Sequence, residues 1–160
     1  MDHVDKILAQ WQQQRPDLNV APMGTLGRLK RLNHVLMRAM EKTWAHYGLN
    51  ESSFDVLATL RREGAPYALS PSDLMASTMV TSGTMTHRLQ QLEKAGLIER
   101  VKNPDDGRGF LISLSGKGFA LIDEAVAAHT ETQARLVNGL SDKQRSQLDD
   151  LLKRLLAGLE

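Results

Sequence analysis

With 160 residues, of which 41% are hydrophobic, the chain is one domain's worth of sequence and can bury a core. A formal net charge of +1 excludes a generic polycation, so any basic surface must be local and balanced by acid elsewhere. The lack of cysteine removes disulfides, thiolate metal sites and thiol redox sensing together.

The opening, Met1-Asp2-His3-Val4-Asp5-Lys6, has no signal-peptide pattern, and no apolar run approaches membrane-spanning length. A cytoplasmic protein without membrane contact is therefore expected. A first helix is predicted from Val4 to Gln14, ahead of the Arg15-Pro16-Asp17 break, with Val4, Ile7, Leu8 and Trp11 in one stripe. Pro22 marks a loop. A long helix from Gly24 to His46 then carries Leu26, Leu29, Leu32, Leu36, Met40 and Trp44 at helical spacing. Its basic residues, Arg28, Lys30, Arg31, Arg38 and Lys42, with only Glu41 against them, could touch DNA, but a solvated face is the more usual role of such a stretch. A third helix, Ser52 to Arg62, buries Phe54, Val56, Leu57 and Leu60 and ends at Gly64-Ala65-Pro66.

Ser70-Pro71 is a helix start, because the hydroxyl can cap and proline tolerates the first helical position. The short helix that follows contains Asp73, Leu74, Met75 and Ala76. A fifth helix opens at Thr81-Ser82-Gly83 and runs to Ala95, where Gly96 stops it. Met85, Leu89 and Leu92 form its buried face, while Thr84, Thr86, His87, Arg88, Gln90 and Gln91 occupy the others. Such side chains hydrogen-bond to base edges and phosphates. A strand from Leu97 to Lys102, a charged tip from Asn103 to Gly109 and a strand from Phe110 to Leu114 make a hairpin. Ser115 caps a long helix from Gly116 to Asn138, and Gly139 and Ser141 separate it from a last helix, Asp142 to Leu159.

The expected fold class is mainly α with a small β-hairpin wing: a winged helix–turn–helix with long terminal dimerisation helices. Residues 1–160 form a single domain in this reading. Within it, 1–48 and 116–160 are the helical dimerisation region and 52–115 the DNA-binding lobe. Leu148, Leu151, Leu152, Leu155, Leu156 and Leu159 spread over a wider surface than a small winged-helix core can cover. A patch of that size marks a subunit contact, and a two-fold homodimer is the common solution. The alternative is that the terminal helices fold back on their own core.

Thr81, Ser82, Thr84 and Thr86 lie in the first turns of the fifth helix, where a helix entering the major groove reaches bases. Each hydroxyl can instead cap the helix or bond the local backbone. His87 and Arg88 lie one turn in, and a guanidinium can read guanine or clamp phosphate.

The segment from Thr84 to Gly118 resembles the signature of MarR-family winged helix-turn-helix transcriptional regulators. The matching positions are Thr84, Arg88, Leu92, Glu93, Gly96, Leu97, Ile98, Asp106, Arg108 and Gly118, with Ser115 where the family usually has threonine. The resemblance extends over the helical flanks. It implies a homodimer bound to a pseudo-palindromic double-stranded DNA operator, working as a repressor that a small anionic or aromatic ligand releases. Arg108 is similar to the family's wing arginine, which reaches the minor groove, and Asp106 would orient it or pin the wing. The rival from another class is a winged-helix adaptor that contacts protein rather than DNA.

A narrower resemblance is to the urate-responsive branch. Trp11 on an extra N-terminal helix, Asp55 ahead of the helix–turn–helix and Arg100 at the opening of the wing match it. In that reading the indole stacks on a planar ligand, Arg100 pairs with its anion, and Asp55 moves away from negative charge. An asparagine of that branch has no evident counterpart, and Glu63 lies near its place. The structural alternative makes Trp11 a core or dimer-contact residue and Asp55 with Arg100 an ion pair. No cofactor is expected. His3, His34, His46, His87 and His129 lack zinc-site spacing, and no phosphate loop, G-x-S-x-G elbow or H-E-x-x-H occurs.

Overall fold

The computed structural model describes residues 1–78, 85–104 and 109–160. In chain order these form α1 (His3–Gln14), α2 (Ala21–His46), α3 (Glu51–Glu63), β1 (Ala68–Leu69), α4 (Pro71–Ser77), α5 (Met85–Lys94), β2 (Ile98–Lys102), β3 (Phe110–Leu114), α6 (Gly116–Val137) and α7 (Asp142–Ala157). Contacts divide the chain into two compact units, Met1–Met40 and Glu41–Glu160.

In the first unit, α1 begins with a reciprocal cap. The Asp2 carboxylate accepts from Asp5 N–H, and the Asp5 carboxylate accepts from Asp2 N–H. Arg28 donates to both carboxylates, at 2.8 Å to Asp2 and 2.5 Å to Asp5. Those backbone amides first, and Arg28 second, hold both carboxyls below their ordinary range. The close approach of α1 to α2 depends on glycine. A Cβ at Gly24 would stand 3.1 Å from Leu8 Cδ1, and one at Gly27 would stand 3.5 Å from Val4 Cγ1. Val4 is buried, whereas Ile7 and Trp11 from the same predicted stripe are exposed, as are Leu26 and Leu32 of α2.

The second unit is organised around α3, which buries Ser53, Phe54, Val56, Leu57, Thr59 and Leu60. Val56, Leu57, Leu60, Leu74, Ile112 and Ile122 form its innermost core, each contributing about 1.5–3 kcal/mol through burial. Asn50 caps α3, Ser70 caps α4, Ser115 caps α6 and Ser141 caps α7, each accepting a backbone N–H three residues on. The wing hairpin pairs Ile98 with Leu114 through Lys102 with Phe110. It also has a third strand, β1, pairing Ala68 with Ser113 and Leu69 with Ile112, so the antiparallel sheet has the order β1-β3-β2. Helix α7 buries none of its residues, and Leu151, Leu156 and Leu159 are more than half exposed. Among the described residues no helix is long and apolar enough to cross a membrane.

Candidate nucleic-acid interface

Helix α5 is fixed to the second unit along one side only. Met85, Leu89 and Leu92 are buried, and the opposite side, with Thr86, His87, Gln90, Gln91 and Lys94, faces outward. The 3–4 spacing of the apolar residues therefore decides which polar side chains are offered to a partner. Arg88 stands on the flank, partly buried. Its Nη1 donates to Gln91 Oε1 at 3.2 Å, while its Nε is buried and has no hydrogen-bond partner among the described residues. Gln91 Nε2 lies 2.9 Å from His87 Nε2. The structure thus joins two of the predicted readers, His87 and Arg88, through Gln91. The i, i+3 and i, i+4 spacing to Arg88 and His87 was the available sequence signal for this third member.

The far end of α5 is clasped by the start of α6. Gly96 takes a left-handed φ of 71°, which suits glycine at a helix C-terminus. Ser115 Oγ donates to the Gly96 carbonyl at 2.6 Å while accepting from Gly118 N–H at 2.9 Å. Lys117 Nζ donates to the Ala95 carbonyl at 3.0 Å. These are carbonyls that the end of α5 would otherwise leave unpaired, and a cation there also suits the helix dipole. Asn103 N–H closes the base of the hairpin on the Gly109 carbonyl at 3.1 Å. Thr81, Ser82 and Thr84, and Asp106 and Arg108 at the tip, lie outside the described residues.

The three residues matched to a ligand site are placed as follows. Trp11, in the first unit, is 42% exposed on α1. Asp55 is half-buried on α3. Arg100, on β2, donates to Glu93 Oε2 at 3.1 Å and lies over the Phe110 ring, 4.6 Å from its centroid. Both members of that ion pair are more than a third exposed, so it contributes less than about 1 kcal/mol. Glu93 had entered the sequence reading only as a signature position.

A second polar cluster, which sequence reasoning missed, lies between α3 and α6. Arg61 pairs with Asp123 at 2.9 Å and stands over the rings of Phe119 and Tyr67, at 4.6 and 5.5 Å. Arg62 donates to the Ser77 carbonyl at 2.5 Å, tying α3 to the end of α4. An open cavity of about 370 Å³ is lined by Phe54, Ala58, Arg61, Arg62, Asp123, Val126 and His129. His129 Nδ1 accepts from Trp44 Nε1 at 3.2 Å. Its neighbours Trp44 and Phe54 bury it and push the imidazole pKa down. No group of three potential metal ligands occurs among the described residues.

The chain is similar to known proteins. The MarR family model matches residues 49–110. The HTH-type transcriptional regulator PecS of Dickeya dadantii is 41% identical over 152 residues, spanning 95% of this chain and 92% of that protein. The HTH-type transcriptional repressor YetL of Bacillus subtilis is 30% identical over 130 residues, spanning 79% of this chain and 75% of its own. The structure of Bordetella bronchiseptica BpsR, which concerns regulation of its DNA binding by 6-hydroxynicotinic acid, superposes with a TM-score of 0.72 at 25% identity. It covers 86% of this chain and 95% of that one.

Proposed function

Because the chain belongs to the MarR family, whose members are transcriptional regulators rather than enzymes, we propose that it acts in the cytoplasm as a homodimeric repressor on a pseudo-palindromic operator. The observation that carries this reading is α5: an apolar side locked into the core and an outer side of His87, Gln90, Gln91 and Lys94. A helix so held can enter a major groove without giving up its own packing. Thr81, Ser82, Thr84 and Thr86 would meet bases and phosphates at its start, with Arg108 and Asp106 forming the wing contact.

The releasing ligand in this reading is a small planar anion. Arg100 supplies a cation at the wing and Asp55 a carboxylate that such a ligand would repel. That BpsR is described with 6-hydroxynicotinic acid supports the ligand class. A ligand releases DNA only through higher affinity for the non-binding conformation.

The test is a gel-shift titration on the DNA upstream of the protein's own gene. Phosphate contacts release counterions, so affinity should fall steeply between about 50 and 200 mM salt. Footprints should show half-sites about 10 bp apart. Arg108→Ala should weaken binding and leave the unfolding transition unchanged. Binding indifferent to sequence, or to salt, would contradict the reading.

A further inference from the structure

The cluster on α5 has a defined hydrogen-bonding polarity. A guanidinium carries donors only, so the atom of Gln91 that faces Arg88 Nη1 at 3.2 Å must be its oxygen. The amide nitrogen is thereby turned to His87 Nε2, 2.9 Å away. An amide NH2 can only donate, so Nε2 must accept and the imidazole proton must sit on Nδ1. The acceptors Oε1 and Nε2 thus both face inward on partners within the cluster. What remains for a visitor is a set of donors: the second Gln91 N–H, His87 Nδ1–H and the rest of the Arg88 guanidinium. Arg88 Nε is buried and takes no part in this outward donor set.

We propose that Gln91 is a specificity-determining residue, which fixes His87 and Arg88 as a donor surface selecting a guanine in each half-site. This rests on the reading that α5 enters the major groove. There guanine presents two acceptors, O6 and N7, and no donor. Adenine offers one acceptor and one donor, thymine one acceptor beside a methyl, and cytosine a donor. A donor set over a donor leaves both unsatisfied, so cytosine is rejected most strongly and adenine next. The cluster is in position to do this, because His87 and Gln91 lie opposite the buried Met85, Leu89 and Leu92. Gln91 reads no base alone in this scheme. Without it the imidazole tautomer and the guanidinium rotamer are both released.

The experiment is selection of sites from a randomised duplex pool by the full-length protein and by Gln91→Ala. The wild type should enrich a guanine at one symmetric position per half-site. Replacing that guanine by deazaguanine, which lacks the N7 acceptor, should weaken binding by about tenfold. Inosine, which keeps O6 and N7 and alters only the minor-groove edge, should bind like guanine. Gln91→Ala should lose the preference at that position, while the steep salt dependence of its duplex binding, set by phosphate contacts, and its melting temperature stay as in the wild type. Gln91→Glu, which turns an acceptor toward His87, should also lose it. An unchanged preference in Gln91→Ala, or equal binding of deazaguanine, overturns the proposal while leaving DNA binding in place. A wild type that binds no duplex in a salt-sensitive way overturns the DNA reading itself, and this proposal with it.

Discussion

His129 packs against two aromatic rings that also touch each other, its centroid 5.6 Å from Trp44 and 4.7 Å from Phe54. Its Nδ1 accepts the indole N–H, so the structure stabilises the form neutral at that nitrogen. Burial lowers the folded pKa below the ordinary imidazole value of about 6.5. The sign follows directly. Between the two pKa values the unfolded chain binds more protons, so stability falls as pH falls. The contribution is complete above about pH 6.5 and is lost as pH drops through the lower, folded value. The urea midpoint should therefore decrease on acidification from about pH 7.5 to 5.5, above the range where carboxylates titrate. His129→Phe should flatten that decrease, at a cost of about 1 kcal/mol because Trp44 Nε1 loses its acceptor. A midpoint that rises on acidification would contradict the placement of His129.

At the scale of elements, the docking of α6 on the turn after α5 depends on Gly118. A Cβ there would fall on the Leu97 carbonyl, and with backbone on both sides neither can yield. Gly118→Ala should lower stability by about 2–4 kcal/mol in urea unfolding, overriding the gain of about 1 kcal/mol that alanine brings to a helix. Gly116→Ala, with nothing within 4 Å of its Cβ, is the control and should be neutral or stabilising. Equal effects of the two would refute the close-packing account. Most elements of this fold were legible in the sequence, because caps such as Ser70 and Ser115 and the apolar 3–4 spacing act locally. Strand β1 was not. Two residues show no alternation, and Ala68 and Leu69 are a strand only by pairing with β3. The polar side of α5 was legible for the same local reason. The Glu93 partner of Arg100 was not, because seven residues and a change from helix to strand separate them.

For the whole molecule, α7 and the residues after it present an exposed apolar surface. Leu148, Leu151, Leu155, Leu156 and Leu159 are exposed on the single chain, a patch that calls for a second copy. Replacing Leu152 and Leu155 together by glutamate should give a monomer in sedimentation, since the contact loses burial and a charge would be desolvated without a partner. Operator affinity should collapse in the same variant, because two half-sites read independently lose the effective-concentration gain of a dimer. A variant that stays dimeric would place the interface elsewhere, the exposed faces of α1 and α2 being next in line.

The clasp of Ser115 and Lys117 on the carbonyls of Gly96 and Ala95 gives the second unit a mechanical property. Helix α6 has 22 residues, about 33 Å at a rise of 1.5 Å per residue. Its head is fastened to the tail of α5, a 10-residue rod of about 15 Å. Were the two helices to turn together about the clasp, against their packing on α3, the pair would act as a bell crank. A sideways shift of about 3 Å at the free end of α6 turns the crank by about 5° and carries the front of α5 by about 1.4 Å. Hydrogen bonds hold over a window of only about 0.5 Å. If α5 enters a groove as proposed, such a stroke would move Thr86 and His87, at the front, by about 1 Å and past that window, while Gln91 and Lys94, nearer the pivot, would stay within it.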